Sequence, residues 1–460
     1  MWERFSYYGM RALLVLYLVE GLHESRGQAL RLYAIYTAFV YLTPMVGGYL
    51  ADRWLGSRRA IMIGGIVMAM GHFSMALPGA LDIALCLLIV GNGFFKPNIS
   101  TLVGALYHRD DPRRDGGFTI FYMGINLGAL MSPLICGMLG EKFGWHYGFA
   151  AAGIGMVLGV LIFILGQKHL VGVKGHAHRA RFNYQDWLIV LVTSLVCLLL
   201  VLVGVHFWNE IEAFWHHLVT WQRALLVVSI LLAIVLPGRR EKDSKPSLTL
   251  SDIKHTLAIF IIGVFVVVFW MGFEQAGGTM NLFALERTDR LFGHWEMPAS
   301  FFQALNPLLI LVLAPVFSLL FVWSDQKRFG LSTPAKMAVG MIILGLGFAL
   351  LALAQEHSEA IGRVSPLWLV GVYWLHTIGE LFLSPIGLSM VTRLAPVQLA
   401  SFMMGLWFTA VAVANYLAGT LEAMLQHSGI PLYWFLVSSS IGAGLLLLSI
   451  TPILKRLMKD

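Results

Sequence analysis

Residues 2–11 read WERFSYYGMR and run without a break into the apolar stretch ALLVLYLV. At helical spacing Arg4, Tyr7, Tyr8 and Arg11 fall within about a third of the circumference, because positions i, i+3, i+4 and i+7 share a face. Glu3 flanks that stripe. A cation near the centre of a bilayer costs roughly 2.5–3.5 kcal/mol even on the mildest insertion scale, so such residues face a watered cavity with partners. A snorkelling cluster at the membrane edge would account for one arginine. Two arginines, a glutamate and two tyrosines on adjoining strips point instead to a transport route through an all-α, polytopic membrane protein.

The composition agrees. Of 460 residues, 58% are hydrophobic and 12% charged, with a mean hydropathy of +0.75, whereas a soluble chain carries about 25% charged residues. Alternating ten-residue strands are absent, so a barrel is excluded. The formal charge of +7 resides in short loops between apolar runs, which fits membrane topology better than nucleic-acid binding. Cys86, Cys136 and Cys197 lie inside apolar segments at unrelated spacings, with neither a disulfide frame nor a metal site in prospect. No cleavable signal peptide is expected, since the first apolar run lacks a basic lead and a small-residue cleavage site. That run, Phe5 to Val19, covers roughly 22 Å of a hydrocarbon core about 30 Å thick. The expectation is a first helix that starts upstream of Met1.

The chain divides into roughly fourteen apolar segments of about 20 residues. Most of its 32 Lys and Arg lie in the loops of one side, which places that side and both termini in the cytoplasm. Two basic stretches, KHLVGVKGHAHRARF and GRREKDSKPSLTLSDIK, bracket the segments 183–207 and 214–237, whose centres are nearly devoid of polar residues. The predicted organisation is a six-helix bundle over 1–166, a linker with two additional helices over 167–251, and a second six-helix bundle over 252–460. The HAH at His176–His178 could ligate a metal, but in a basic loop it reads as solvated sequence. Two Asp–basic–Gly turns, GGYLADRWLGSRR and FVWSDQKRFG, each follow the second segment of a half and form a weak internal repeat.

Several polar residues interrupt the apolar segments. Lys96 sits midway along one of them, in GNGFFKPNIS, beside a helix-kinking Pro97. FYMGINLG sets Tyr122 and Asn126 one turn apart; Asn126 reads equally as a helix-to-helix hydrogen bond or a ligand donor. In the second half, MGFEQAGGTMN carries Glu274 one turn beyond Trp270, FFQALNP places Asn306 before a proline, and LHTIGELFLSP lines up His376, Glu380 and Ser384. Trp407 and Phe408 are either cavity walls or core packing. The in-membrane cations Arg4, Arg11 and Lys96 belong to the first half and the anions Glu274 and Glu380 to the second, with Glu3 the exception. Such a dipolar cavity suits a zwitterion, and a di- or tripeptide spans roughly 7–11 Å.

These motifs resemble the proton-dependent oligopeptide transporter family, a branch of the major facilitator superfamily, in its bacterial form. ERFSYYGMRALL, VYLTPMVGGYLADRWLG, FFKPNIS, FYMGINLG and GELFLSPIGLSMVTRLAP carry the resemblance, in order and over nearly the whole chain. The cytoplasmic loop signature of the superfamily matches at Gly48, Asp52, Arg53 and Gly56, with one extra residue between Arg53 and Gly56. The resemblance implies that Arg4, Tyr8 and Lys96 engage the peptide carboxylate side, that Arg11 and Tyr41 line the same pocket, and that Asn126 and Asn306 hold the peptide backbone. Glu380 would take the amino terminus, and Glu274 would pair with Lys96 in a gating or proton-linked bridge; Glu3 and Arg4 would share in proton coupling. Trp270, Trp407 and Phe408 would wall side-chain pockets. The family's ExxER pattern would place its first Glu one position before Met1.

The expected function is therefore proton-coupled import of di- and tripeptides by alternating access, in a bacterial inner membrane, by a protein that is not an enzyme. Its implied partners are peptides, protons and membrane lipids, with no nucleic acid, no cofactor other than the coupling proton, and a functional monomer. An antiporter for drugs or small anions is the first rival; its cavity would show acid-rich or aromatic linings in place of opposed charges. A membrane peptide sensor that moves nothing is the second.

Overall fold

The computed structural model describes residues 1–107, 113–170, 249–326, 330–395, 400–426 and 428–458. The expected additional helix pair, with His176 and His178, lies outside the described residues.

Helix α1, Trp2–Leu16, runs on through a wide turn at Tyr17–Gly21. Helix α2, Arg26–Leu50, starts at Ser25, whose Oγ accepts from the Gln28 backbone N–H at 3.3 Å in a capping box. A second wide turn, Ala51–Leu55, leads to Gly56, where a φ of 73° reverses the chain into α3, Ser57–Met75. Then come α4, Leu81–Ala105, and α5, Arg114–Ser132, the latter continued by a wide turn at Pro133–Gly137 and by α6, Met138–Phe143. Helix α7 is Trp145–Gly166.

The second half opens with α8, Leu250–Phe273, capped by Thr249. A tight turn at Glu274–Gly277 interrupts that span before α9, Thr279–Glu286. A short hairpin follows, β1 at Leu291–Phe292 pairing with β2 at Trp295–Glu296. The tight turn Ala299–Ala304 then feeds α10, Leu305–Gln326, and α11, Thr333–Ile361, α12, Leu367–Leu394, α13, Ala400–Gln426, and α14, Leu432–Leu457, complete the chain. Among the described residues ten helical spans are long and apolar enough to cross a membrane, as expected for an integral membrane protein. Outward faces such as Leu161 and Leu319 stay exposed, which suits a lipid surround.

Within the first half α3 packs on α4 and α7, α1 on α5 and α7, and α2 on α4. Within the second, α11 packs on α12 and α14, and α8 on α13 and α14. Lipid tails are as apolar as leucine, so these contacts draw on close approach of backbones across small residues. Gly47 lies against Gly93, and Gly340 against Gly379. A Cβ added at Gly47 would sit 2.8 Å from the Phe94 nitrogen, which is backbone and cannot turn aside. Gly47→Ala is accordingly expected to part α2 from α4 at a cost of about 1–3 kcal/mol. The check is a lowered thermal midpoint of the purified protein in detergent; an unchanged midpoint would contradict the close approach.

Candidate functional site

The halves meet where α2 packs on α13, α5 on α10, and α1 on α9. Polar contacts that tie them together cluster at the end of the molecule opposite the two termini, called here the far end. Arg26, at the start of α2, reaches two carboxylates of the other half, Glu422 and Glu286, each at 2.7 Å. Lys142 lies 3.6 Å from Glu296 at the same end, and nearer the middle of the seam, beside Arg11, the Asn281 Nδ2 donates to the Ala12 carbonyl at 2.9 Å. Gly419 lets α13 close on α2: a Cβ there would stand 2.5 Å from the Ala34 Cβ.

Midway along this seam lies a cavity of about 180 Å³. The first half contributes Tyr8, Arg11, Tyr41, Tyr122 and Asn126; the second contributes Trp270, Glu274, Gln303, Asn306, His376 and Glu380. Typical small-molecule pockets hold roughly 300–1,000 Å³, so a peptide fits only if the walls spread.

Arg11 forms a buried ion pair with Glu274 across the seam, with only 8% and 3% of the two residues exposed. Its Nε donates to the Tyr33 hydroxyl at 2.6 Å. A buried charge persists only when paired and hydrogen-bonded, and Arg11 has both. The backbone makes room for the pair at Gly277, where a Cβ would stand 2.7 Å from the Tyr33 Cζ and 3.2 Å from the Arg11 Nε. The tight turn Glu274–Gly277 thus brings the carboxylate to Arg11. Glu274 does not pair with Lys96, which corrects the bridge implied by the family pattern: the Lys96 Nζ instead sits 3.7 Å from the centroid of the Tyr41 ring, a cation–π contact.

On the opposite wall the Asn306 Nδ2 donates to the Glu380 Oε2 at 2.8 Å and to the Thr377 Oγ1 at 3.1 Å. Both amide hydrogens are used, which leaves the Asn306 carbonyl as its free acceptor. The Asn126 Nδ2 bonds the Tyr122 carbonyl of its own helix at 3.0 Å. Asn126 thus faces the cavity without bridging two helices.

Other expected residues stand apart from the wall. Glu3 and Arg4 pair with each other at 3.2 Å, and one Glu3 oxygen stays buried without a partner. Trp407 packs its ring against Gly387, where a Cβ would meet Cζ2 at 2.9 Å. Trp407 is buried and Phe408 half-buried, and neither is among the residues that bound the cavity. In the loop signature, Gly48 admits Pro97 at 3.5 Å from an added Cβ, Asp52 and Arg53 ride the turn Ala51–Leu55, and Gly56 supplies its positive φ.

Sequence reasoning missed Tyr33, Gly277, Gln303 and Tyr373. Tyr33 had a readable signal, since it lies eight residues before Tyr41, with Thr37 between them, on one helical strip. Gly277 had none, because its role depends on a contact between halves.

The sequence model of the POT family (PTR2) matches residues 58–433. The chain belongs to the POT family. It is 36% identical to "Peptide transporter YePEPT" of Yersinia enterocolitica, over 100% of this chain and 93% of that one. It is 33% identical to a "Di-/tripeptide transporter" of Lactococcus lactis subsp. cremoris, over 100% and 94%, and 37% identical to "Uncharacterized transporter YclF" of Bacillus subtilis, over 100% and 93%. Among solved structures, a mutant of a peptide transporter POT in complex with alafosfalin superposes with a TM-score of 0.84 at 34% identity, covering 100% of this chain and 94% of that one. A POT family transporter in complex with 5-aminolevulinic acid gives 0.79 at 31%, covering 98% and 94%. The two bundles of this POT-family chain accordingly have the major facilitator fold.

Proposed function

We propose that the protein is a proton-coupled symporter that imports di- and tripeptides by alternating access. The observation that carries this reading is the cavity on the seam, with Arg11 on one wall and Glu274 and Glu380 on the other. Opposed charges of this kind complement a zwitterion end to end. The peptide carboxylate lies toward the first half, drawn by Arg11 on the wall and by Arg4 and Lys96 further back, and the ammonium meets Glu380. The carbonyl of Asn306 and the side chain of Asn126 take the backbone. Relatives that carry peptides by name support the substrate class, and the amino acid in a related structure fits the same charge pattern.

Coupling rests on Glu274. Ionised, it holds Arg11 and the halves together; protonated, it gives up the charge that makes the pair. Arg26 with Glu286 and Glu422 closes the far end in the same state, and the termini, with the basic loops, lie on the cytoplasmic side of a bacterial inner membrane. The chain works as a monomer and uses no bound cofactor. Labelled dialanine in proteoliposomes tests the reading: uptake rises with an inward proton gradient and collapses with a protonophore. Uptake indifferent to the protonophore would overturn it.

A further inference from the structure

The carboxylate of Glu141, in the short helix α6, crosses to the other half of the molecule. Its Oε2 accepts from the Ala299 backbone N–H at 2.7 Å and its Oε1 from the Ser300 backbone N–H at 3.0 Å. These donors begin the helical run that follows Pro298, and the first N–H groups of a helix have no partner within it. Helices are usually capped by a residue just ahead of them; here the cap comes from the opposite bundle. The approach to the donors is also held: Arg290 pairs with Glu296 at 2.9 Å and donates to the Met297 carbonyl at 2.5 Å, which fixes the hairpin just before Ala299. Ser300 lies against Gly137, in the wide turn that leads into α6. The same run carries Gln303, and α10, into which it leads directly, carries Asn306; both line the cavity.

We propose that Glu141 is a far-end latch and a positioning residue: its carboxylate caps the Ala299 run only while the far end is closed, and opening of that end uncaps the run that carries Gln303 and leads into the α10 turn of Asn306. The inference rests on the alternating-access reading above. A cap shared between halves is lost when they part, whereas a cap within one half would travel with it. The latch therefore favours the closed far end by the strength of two charge-assisted bonds, and ties that closure to the setting of Asn306 against Glu380.

The test measures conformation, with neither peptide nor proton required. Spin labels on cysteines at Glu24 and Ile430, exposed far-end positions in opposite halves, replace the three native cysteines as the only thiols, and their separation is read by pulsed electron resonance in lipid nanodiscs. Glu141→Gln keeps one acceptor and turns an amide N–H toward a backbone donor. It is expected to raise the ratio of open to closed far end roughly tenfold. Ala299→Pro deletes one of the two donors at a first helical position, where proline is tolerated, and after Pro298, whose φ of −53° and ψ of 138° suit a following proline. It should shift the ratio in the same direction. The double variant should add little to the larger single effect, because both changes remove one interaction; two merely destabilising changes would add. An unchanged distance distribution in Glu141→Gln overturns the latch, as does full additivity, and the first result decides alone should Ala299→Pro not fold. A single distance in every variant and lipid overturns both the latch and alternating access, whereas far-end opening that ignores Glu141 overturns the latch only.

Discussion

Glu274→Gln is expected to abolish concentrative uptake while leaving counterflow intact. Glutamine is the size of a protonated glutamate and keeps an oxygen for Arg11, so the cavity retains its shape and the halves can still exchange. The negative charge is gone, however, and with it the difference between the protonated and ionised states that lets a proton loosen the Arg11 pair. An inward proton is worth about 2.3 kcal/mol per 100 mV, or roughly 40–50-fold accumulation per proton at 1.4 kcal/mol per decade. The variant should fall from that level to simple equilibration. The two assays are run on the same proteoliposomes: dialanine accumulation under an imposed gradient, and exchange of external label against internal unlabelled peptide. Accumulation by Glu274→Gln at the wild-type level would show that the coupling proton binds elsewhere. Loss of counterflow as well would show that the pair is needed for switching itself.

Glu380→Gln should erase the preference for a free amino terminus. Asn306 already donates to one Glu380 oxygen at 2.8 Å, which orients the carboxylate on the cavity wall. An ammonium placed against it makes a charge-assisted bond contributing about 1.5–3 kcal/mol, or one to two decades of affinity. N-acetyl-dialanine should thus compete about 10- to 100-fold worse than dialanine in the wild type, and nearly as well as dialanine in Glu380→Gln. Lys96→Ala should leave the amine preference in place. Acetylation that harms Glu380→Gln as much as the wild type would mean that the ammonium sits elsewhere and that the orientation is reversed.

Much of this architecture was legible in the sequence because membranes restrict what a chain can do. Apolar runs of the right length can only be spanning helices, so the described helices fall where the hydropathy places them. Charges inside those runs are costly enough to mark the cavity, which is how Arg11, Glu274 and Glu380 were found. Pairing was harder to read. Glu274 opens a tight turn at the end of α8, not on a continuous helix, and which cation it meets depends on the missing Cβ of Gly277 and on the placement of Tyr33. Lys96 and Arg4 carried equal signals in sequence and stand back from the cavity wall, one against Tyr41 and the other against Glu3. Trp407 behaves likewise: its bulk suggested a wall, and its ring fills the space left by Gly387. Helical periodicity shows which residues share a face. It does not show which neighbour that face meets, since that is set by glycines on another helix.

The pairing of Arg11 with Glu274 also sets a clock for biosynthesis. The two residues are 263 positions apart, and at roughly 5–20 residues per second a ribosome reaches the second on the order of 15 to 50 s after the first. Throughout that interval the nascent first helix carries a cation whose counter-charge does not yet exist. Its arginine must be held by lipid headgroups, water or the insertion machinery until the second bundle arrives. Completion of the span that carries Glu274, more than insertion of the first, is then the step at which this helix settles into its final place.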